Sequence, residues 1–142
     1  MFKNFSFCTS KEQCVDVALL ILRITIGFIF IQHGYGKLFG DAPGMTAFTG
    51  MVAQLGFPAP SLFAYAAAFS EFFGGIAILL GLFTDISAIA IAIVMLVALV
   101  GVKKFSFPLA DLDLALLTMT LAIYFMGPGK YVVMKWRGKQ SA

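Results

Sequence analysis

Residues 15–38 read VDVALLILRITIGFIFIQHGYGKL. A membrane-crossing helix needs about 20 predominantly apolar residues. This stretch supplies them while carrying Arg23 within its length. Three further apolar runs follow, over residues 61–83, 86–102 and 109–126. Of the 142 residues, 61% are hydrophobic and 12% charged, against roughly 25% charged in an average soluble domain. So little polar surface could not cover a core of this size. The reading is an all-α integral membrane protein, one domain over residues 1–142. It predicts a four-transmembrane-helix bundle with a short amphipathic segment in the first external loop.

Lysine and arginine counts set the expected orientation. Lys3, Lys11, Lys130, Lys135, Arg137 and Lys139 fall on one side, and Lys37, Lys103 and Lys104 on the other. Both termini are therefore expected in the cytoplasm. The mostly polar start and the length of the first apolar run predict a retained helix, not a cleaved signal peptide. Pro58 and Pro60 precede the second run and Pro108 the fourth, where a missing amide donor costs little. Asp85 is placed to cap the third helix. Gly127-Pro128-Gly129-Lys130 is expected to stop the fourth, with Tyr131 and Trp136 as interfacial anchors. Between the first two runs, Met45, Phe48, Met51, Val52 and Leu55 recur at helical spacing. They predict a segment lying on the membrane or folding over the bundle.

Ionisable residues at membrane depth carry the functional signal, because a charge at the bilayer centre costs about 2.5–3.5 kcal/mol on insertion scales. Counting 1.5 Å per residue from the external helix ends puts Arg23 at about 22 Å and Glu71 at about 15 Å. A long arginine side chain can bridge such a gap. Gly27, Phe30, Gly34 and Lys37 share the Arg23 stripe. Ala67, Ala68, Gly74, Gly75 and Ile78 flank Glu71, and small residues let membrane helices approach closely. The pattern predicts an Arg23–Glu71 contact, either as a buried pair that fixes packing or as a polar pocket for a ligand or proton.

His33 and Lys37 lie four residues apart on one helical face. Asp111 and Asp113 open the fourth helix at the same end. They either complement its dipole or join His33 and Lys37 in an external polar mouth leading to Glu71 and Arg23. No ligand-spacing pattern predicts a metal site, and no phosphate loop, dinucleotide fingerprint or hydrolase triad is present. Cys8 and Cys14 have five residues between them and do not form a CxxC redox pair. The net charge of +3 suits a membrane surface better than nucleic acid.

Several local patterns together resemble the DoxX family of small four-helix bacterial inner-membrane proteins. They are Leu22-Arg23, Gly27, His33-Gly34, Lys37-Leu38-Phe39-Gly40, Leu55-Gly56-Phe57-Pro58, Glu71 with Gly74-Gly75, Leu80-Gly81-Leu82-Phe83-Thr84 and Gly127-Pro128-Gly129-Lys130-Tyr131. The resemblance covers nearly the whole chain. It implies membrane redox chemistry, since a related family member is a subunit of thiosulfate:quinone oxidoreductase. The family's Arg, His, Lys and Glu fall on Arg23, His33, Lys37 and Glu71. Family members often continue the last motif with Ser and Asp, where this chain has Val132 and Val133.

The expected activity is that of a quinone-linked oxidoreductase, or the membrane subunit of one, acting on sulfur or thiol compounds with ubiquinone or menaquinone. Glu71, Arg23 and His33 are the expected catalytic residues. Lys37, Asp113, Asp111, Phe30 and Tyr65 are expected to contact substrate, with Tyr35 and Phe72 as further aromatic contacts. Expected partners are the lipid bilayer, a soluble or membrane oxidoreductase and further copies of the chain. The alternatives are a non-catalytic assembly or scaffold protein and a small transporter.

Overall fold

The structure, a computed structural model, describes residues 10–41, 43–104, 106, 108 and 110–133. Lys3, Cys8, Lys135, Trp136, Arg137 and Lys139 lie outside the described residues, as does much of the expected basic side. Among the described residues every regular element is helical. Helix α1 spans Lys11–Leu38, and its first turn is capped by Ser10, whose Oγ accepts from Gln13 N at 3.3 Å. Helix α2 spans Gly44–Gln54, and α3 spans Pro60–Leu80 with proline in its first turn. Helix α4 spans Thr84–Val97 and continues as a π-helical turn over Ala98–Val102. Helix α5 spans Asp111–Met126.

The breaks between helices follow from local chemistry. Gly81 ends α3 at φ 75°, and Gly127 ends α5 at φ 77°. The expected cap at Asp85 is not formed. The α3–α4 reversal is completed in three residues, with Phe83 itself left-handed at φ 45°. Helix α4 therefore starts at Thr84, and Asp85 falls in its first turn, where an acid complements the helix dipole.

Three helical stretches are long and apolar enough to cross a membrane: Lys11–Leu38, Pro60–Leu80 and Thr84–Val102. The sixteen residues of α5 extend about 24 Å at 1.5 Å per residue, short of a hydrocarbon core of about 30 Å. The outer surface is apolar, exposing Ile21, Phe28, Leu62, Phe73, Ile86, Ile93 and Phe125. This is what a lipid solvent permits and water does not.

Helices α1 and α3 run antiparallel in close contact. A Cβ on Gly34 would lie 2.6 Å from Phe72 Cβ, and one on Gly75 would lie 2.8 Å from Ile31 N. Only glycine admits backbones this near, and dispersion across the seam replaces the hydrophobic effect that lipid cannot supply. The interior joins Ile26, Phe30, Ile78, Ala88, Ile91, Met95, Leu116 and Ile123 into one cluster drawn from α1, α3, α4 and α5.

The register of this seam corrects the depth arithmetic. Gly34 lies beside Phe72 and Ile31 beside Gly75, so the end of α1 is level with about residue 68, not with Ser61. Helix α3 thus extends some eight residues, about 12 Å, beyond α1. Helix α2 packs beside that overhang, against α3 and α1.

Candidate functional site

At the α2 end, the bundle encloses a cavity of about 560 Å³. This is within the 300–1,000 Å³ usual for ligand pockets. Phe48, Met51 and Val52 of α2 roof it with Leu55 at its C-terminal cap and Phe57 just beyond, and the remaining apolar wall comes from α3, α4 and the π-helical turn. Its polar groups are His33 and Lys37 from α1, Ser70 and Glu71 from α3, Lys103 and Asp113. Met51 and Leu55 are four residues apart and Phe48 and Val52 likewise, so one face of α2 supplies the roof.

Two ion pairs hold the charges. Lys37 Nζ donates to Glu71 Oε1 at 2.6 Å and Oε2 at 2.5 Å. The Glu71 side chain is fully buried, and that of Lys37 is 24% exposed. The same ammonium sits 4.2 Å from the Phe48 ring centroid, a cation–π distance that ties α2 to α1. Lys103 Nζ lies 2.8 Å from Asp113 Oδ2. That oxygen is buried, and the approach has ion-pair distance without hydrogen-bond alignment. In both pairs the carboxylate is the deeper partner and the ammonium the more accessible one. Asp113 lies in the first turn of α5, so the helix dipole adds to its stabilisation. His33 is half-buried beside them, with its ring 6.4 Å from that of Phe30.

Arg23 and Glu71 do not meet. Arg23 is 1% exposed, and its guanidinium is spent on main-chain carbonyls. Nε donates to Ile78 O at 2.9 Å and Nη2 to Leu79 O at 3.0 Å. Nη1 donates to Pro128 O at 2.8 Å and Tyr131 O at 2.6 Å. The last carbonyls of a helix lack intrahelical donors, and a cation there opposes the negative end of the dipole. The register explains the change of partner. With α3 displaced along α1, Arg23 comes level with the C-terminus of α3, and Glu71 comes level with Lys37. The segment after α5 is stitched down at the same place, with Val133 N donating to Leu80 O and Lys130 N to Asp16 Oδ1, both at 3.0 Å.

The remaining expected site residues divide. His33, Lys37, Glu71 and Asp113 line the cavity. Phe30 is fully buried in the core behind it, and Asp111 is exposed. Tyr65 is 47% exposed on the outer face of α3, next to Phe69. Tyr35 and Phe72 form an aromatic group with Phe39 away from the cavity lining. Lys103 was missed by sequence reasoning. Its signal was a lysine ten residues before Asp113, at the same end of the bundle. Among the described residues, no group of three His, Cys, Asp or Glu side chains is arranged to hold a metal ion. Cys14 is exposed on the first turn of α1.

A protein whose described elements are all helical, with three membrane-length apolar stretches and a charged, apolar-walled cavity, is a membrane protein. The DoxX family profile matches residues 18–104, and the chain belongs to that family. The matched stretch carries Arg23, His33, Lys37, Glu71 and Lys103, and ends before Asp113. The chain is also similar to a Bacillus subtilis (strain 168) protein named "Putative oxidoreductase CatD", with 32% identity over 92 residues, or 65% of this chain. The match spans 64% of that relative's length. No solved structure matches the chain.

Proposed function

We propose that this protein is a quinone-linked oxidoreductase of the bacterial inner membrane, or the membrane subunit of one, and that the α2-end cavity receives the quinone head group. One observation carries the reading. Two ammonium groups, each backed by a buried carboxylate, stand at the polar end of an otherwise apolar cavity. A quinone needs apolar walls, donors for its carbonyl oxygens and a proton supply at the same place. Quinone supplies the two-electron couple. Lys37 and Lys103 donate to its carbonyl oxygens, while Glu71 and Asp113 hold the ammonium groups in position and exchange protons with them. His33, half-buried at the cavity wall, passes protons between the cavity and the surface. Reduction to quinol consumes two electrons and two protons. The electrons come from a sulfur or thiol reductant, directly or through an oxidoreductase partner. The resemblance to a protein named as an oxidoreductase supports this class of chemistry.

In this reading α5 is the fourth membrane-embedded helix. It buries Leu116, Thr120 and Ile123 and exposes Leu112, Leu114, Leu121, Tyr124 and Phe125 to lipid. Helix α2 lies at the outer interface as an amphipathic roof, and both termini are cytoplasmic. Arg23 supports the site from a distance by fixing α1, α3 and the segment after α5.

The test is solvent extraction of purified protein followed by quantification of quinone, with Glu71→Gln purified identically. The expected result is near-stoichiometric quinone in the unsubstituted protein. Glu71→Gln is expected to remain folded and to lose quinone-dependent turnover with a membrane extract as electron source. Full turnover in Glu71→Gln overturns the proton-exchange role. Background quinone in both, with no quinone-dependent turnover, overturns the reading.

A further inference from the structure

The cavity is closed on one side and open on another. Toward the α2 end, the roof reaches the π-helical turn, where a Cβ on Gly101 would lie 3.2 Å from Leu55 Cδ2. Laterally the arrangement differs. Helices α3 and α4 meet closely near their connecting turn, where a Cβ on Gly74 would lie 3.0 Å from Ile91 Cδ1. Farther from the turn, Ala66, Ala67 and Ser70 of α3 and Ile93 and Val97 of α4 line the cavity rather than close it. Ile93 is 57% exposed and Val97 36% exposed, and Ala66 is exposed too. The same residues therefore face the cavity and the lipid side of the helices. The pair forms a V-shaped crevice, narrow at Gly74 and wide toward α2. Alanine and serine line its α3 wall, and the cavity-lining residues exposed along it, Ala66, Ile93 and Val97, are uncharged.

We infer that the crevice between α3 and α4 is a lateral doorway from the bilayer. Through it a lipid-dissolved ligand with a hydrogen-bond-accepting head and a long apolar tail enters the cavity. The inference rests on the quinone reading and specifies the substrate class as the tailed, membrane-resident form. The head group travels inward to Lys37 and Lys103, the cationic donors that line the cavity. The tail stays in the crevice, against Ala67 and Val97, with its far end in lipid. Entry along this route exposes no apolar tail to water, whose cost is about 0.8 kcal/mol per CH₂. Helix α2 can then remain seated on Gly101 throughout.

Two probes in detergent-solubilised protein separate the claims: a long-tailed ubiquinone and its tailless benzoquinone head group. In Ala67→Phe and Val97→Phe, which narrow the crevice from opposite walls, the long-tailed probe is expected to bind roughly tenfold more weakly, about 1.4 kcal/mol. The tailless probe keeps its affinity. Equal affinity of the two probes in the unsubstituted protein, or equal loss of both in the variants, overturns the doorway while leaving the head-group site standing. Failure of both probes to bind the unsubstituted protein overturns the quinone reading itself. A long-tailed quinone with a photoreactive group in its tail gives a readout without substitution. Crosslinks to peptides holding Ala66 or Ile93 support the doorway. Crosslinks confined to α2 or α5, or matched in yield by an acyl-tailed phospholipid probe, overturn it.

Discussion

Replacing Arg23 by methionine tests the division between a scaffold end and a chemical end of the bundle. The substitution keeps an unbranched apolar stem of similar reach and removes four charge-assisted hydrogen bonds. Ile78 O retains a bond from Gly81 N, so three carbonyls, those of Leu79, Pro128 and Tyr131, lose the donor that holds them. An unsatisfied buried acceptor costs about 1–3 kcal/mol. These bonds are partly buried, so water recovers some of that cost, and the expected loss is about 3–5 kcal/mol. The assay is equilibrium unfolding in mixed micelles, paired with limited trypsin digestion. Lys130 is exposed, and release of its segment should accelerate cleavage there before global unfolding. Quinone binding in the fraction that remains folded should stay within a few-fold of the unsubstituted protein. Arg23→Lys should fall between, because an ammonium has three donors and lacks the planar fork that reaches both α3 and the last segment. An Arg23→Met protein of unchanged stability that no longer bound quinone would refute the reasoning and return Arg23 to the binding site.

Gly34→Ala places a methyl group 2.6 Å from Phe72 Cβ and should cost about 1–3 kcal/mol by overpacking. Gly36→Ala, whose Cβ meets nothing within 4 Å, should be neutral or stabilising by up to about 1 kcal/mol through helix propensity. Both are read in the same unfolding assay. Lys103→Met strips Asp113 of its counter-charge and should destabilise by about 1–2 kcal/mol, less than for a fully buried pair because the lysine is partly exposed. Adding Asp113→Leu should recover most of that loss. A double-mutant cycle should give a coupling of at least about 0.5 kcal/mol, and additive effects would remove the pair from the site.

The membrane class was legible because composition and run length answer directly to the solvent. The glycine faces of α1 and α3 were legible too, since small residues at helical spacing have few other uses in lipid. His33, Lys37 and Asp113 could be placed at one end from chain order alone. The partner of Glu71 could not. Depth arithmetic assumes that neighbouring helices start flush, and the eight-residue overhang of α3 shifts every pairing along α1. Lys37 thus takes the carboxylate that Arg23 was expected to hold. Fixed by the same shift, Arg23 meets carbonyls, and backbone acceptors leave no mark in a side-chain pattern. Tyr65 and Phe30 satisfied an aromatic expectation in type, but helix rotation turns one to lipid and the other into the core. Lys103 depends on a backbone irregularity with no clear residue signature.

That irregularity at Ala98–Val102 has a consequence in phase. A π-helical turn holds one residue more than an α-helical turn, so everything beyond it is rotated by about 100° relative to an unbroken helix. Val94, Met95 and Ala98 set the inward-facing azimuth of α4, and the extra residue shifts the azimuth at which Lys103 emerges. A single-residue deletion within those five positions would leave composition, charge and hydropathy almost unchanged. It would swing the ammonium about a quarter-turn away from Asp113. Chains of this kind can therefore gain or lose the second cation of the cavity by a one-codon change in length, with no polar residue substituted anywhere.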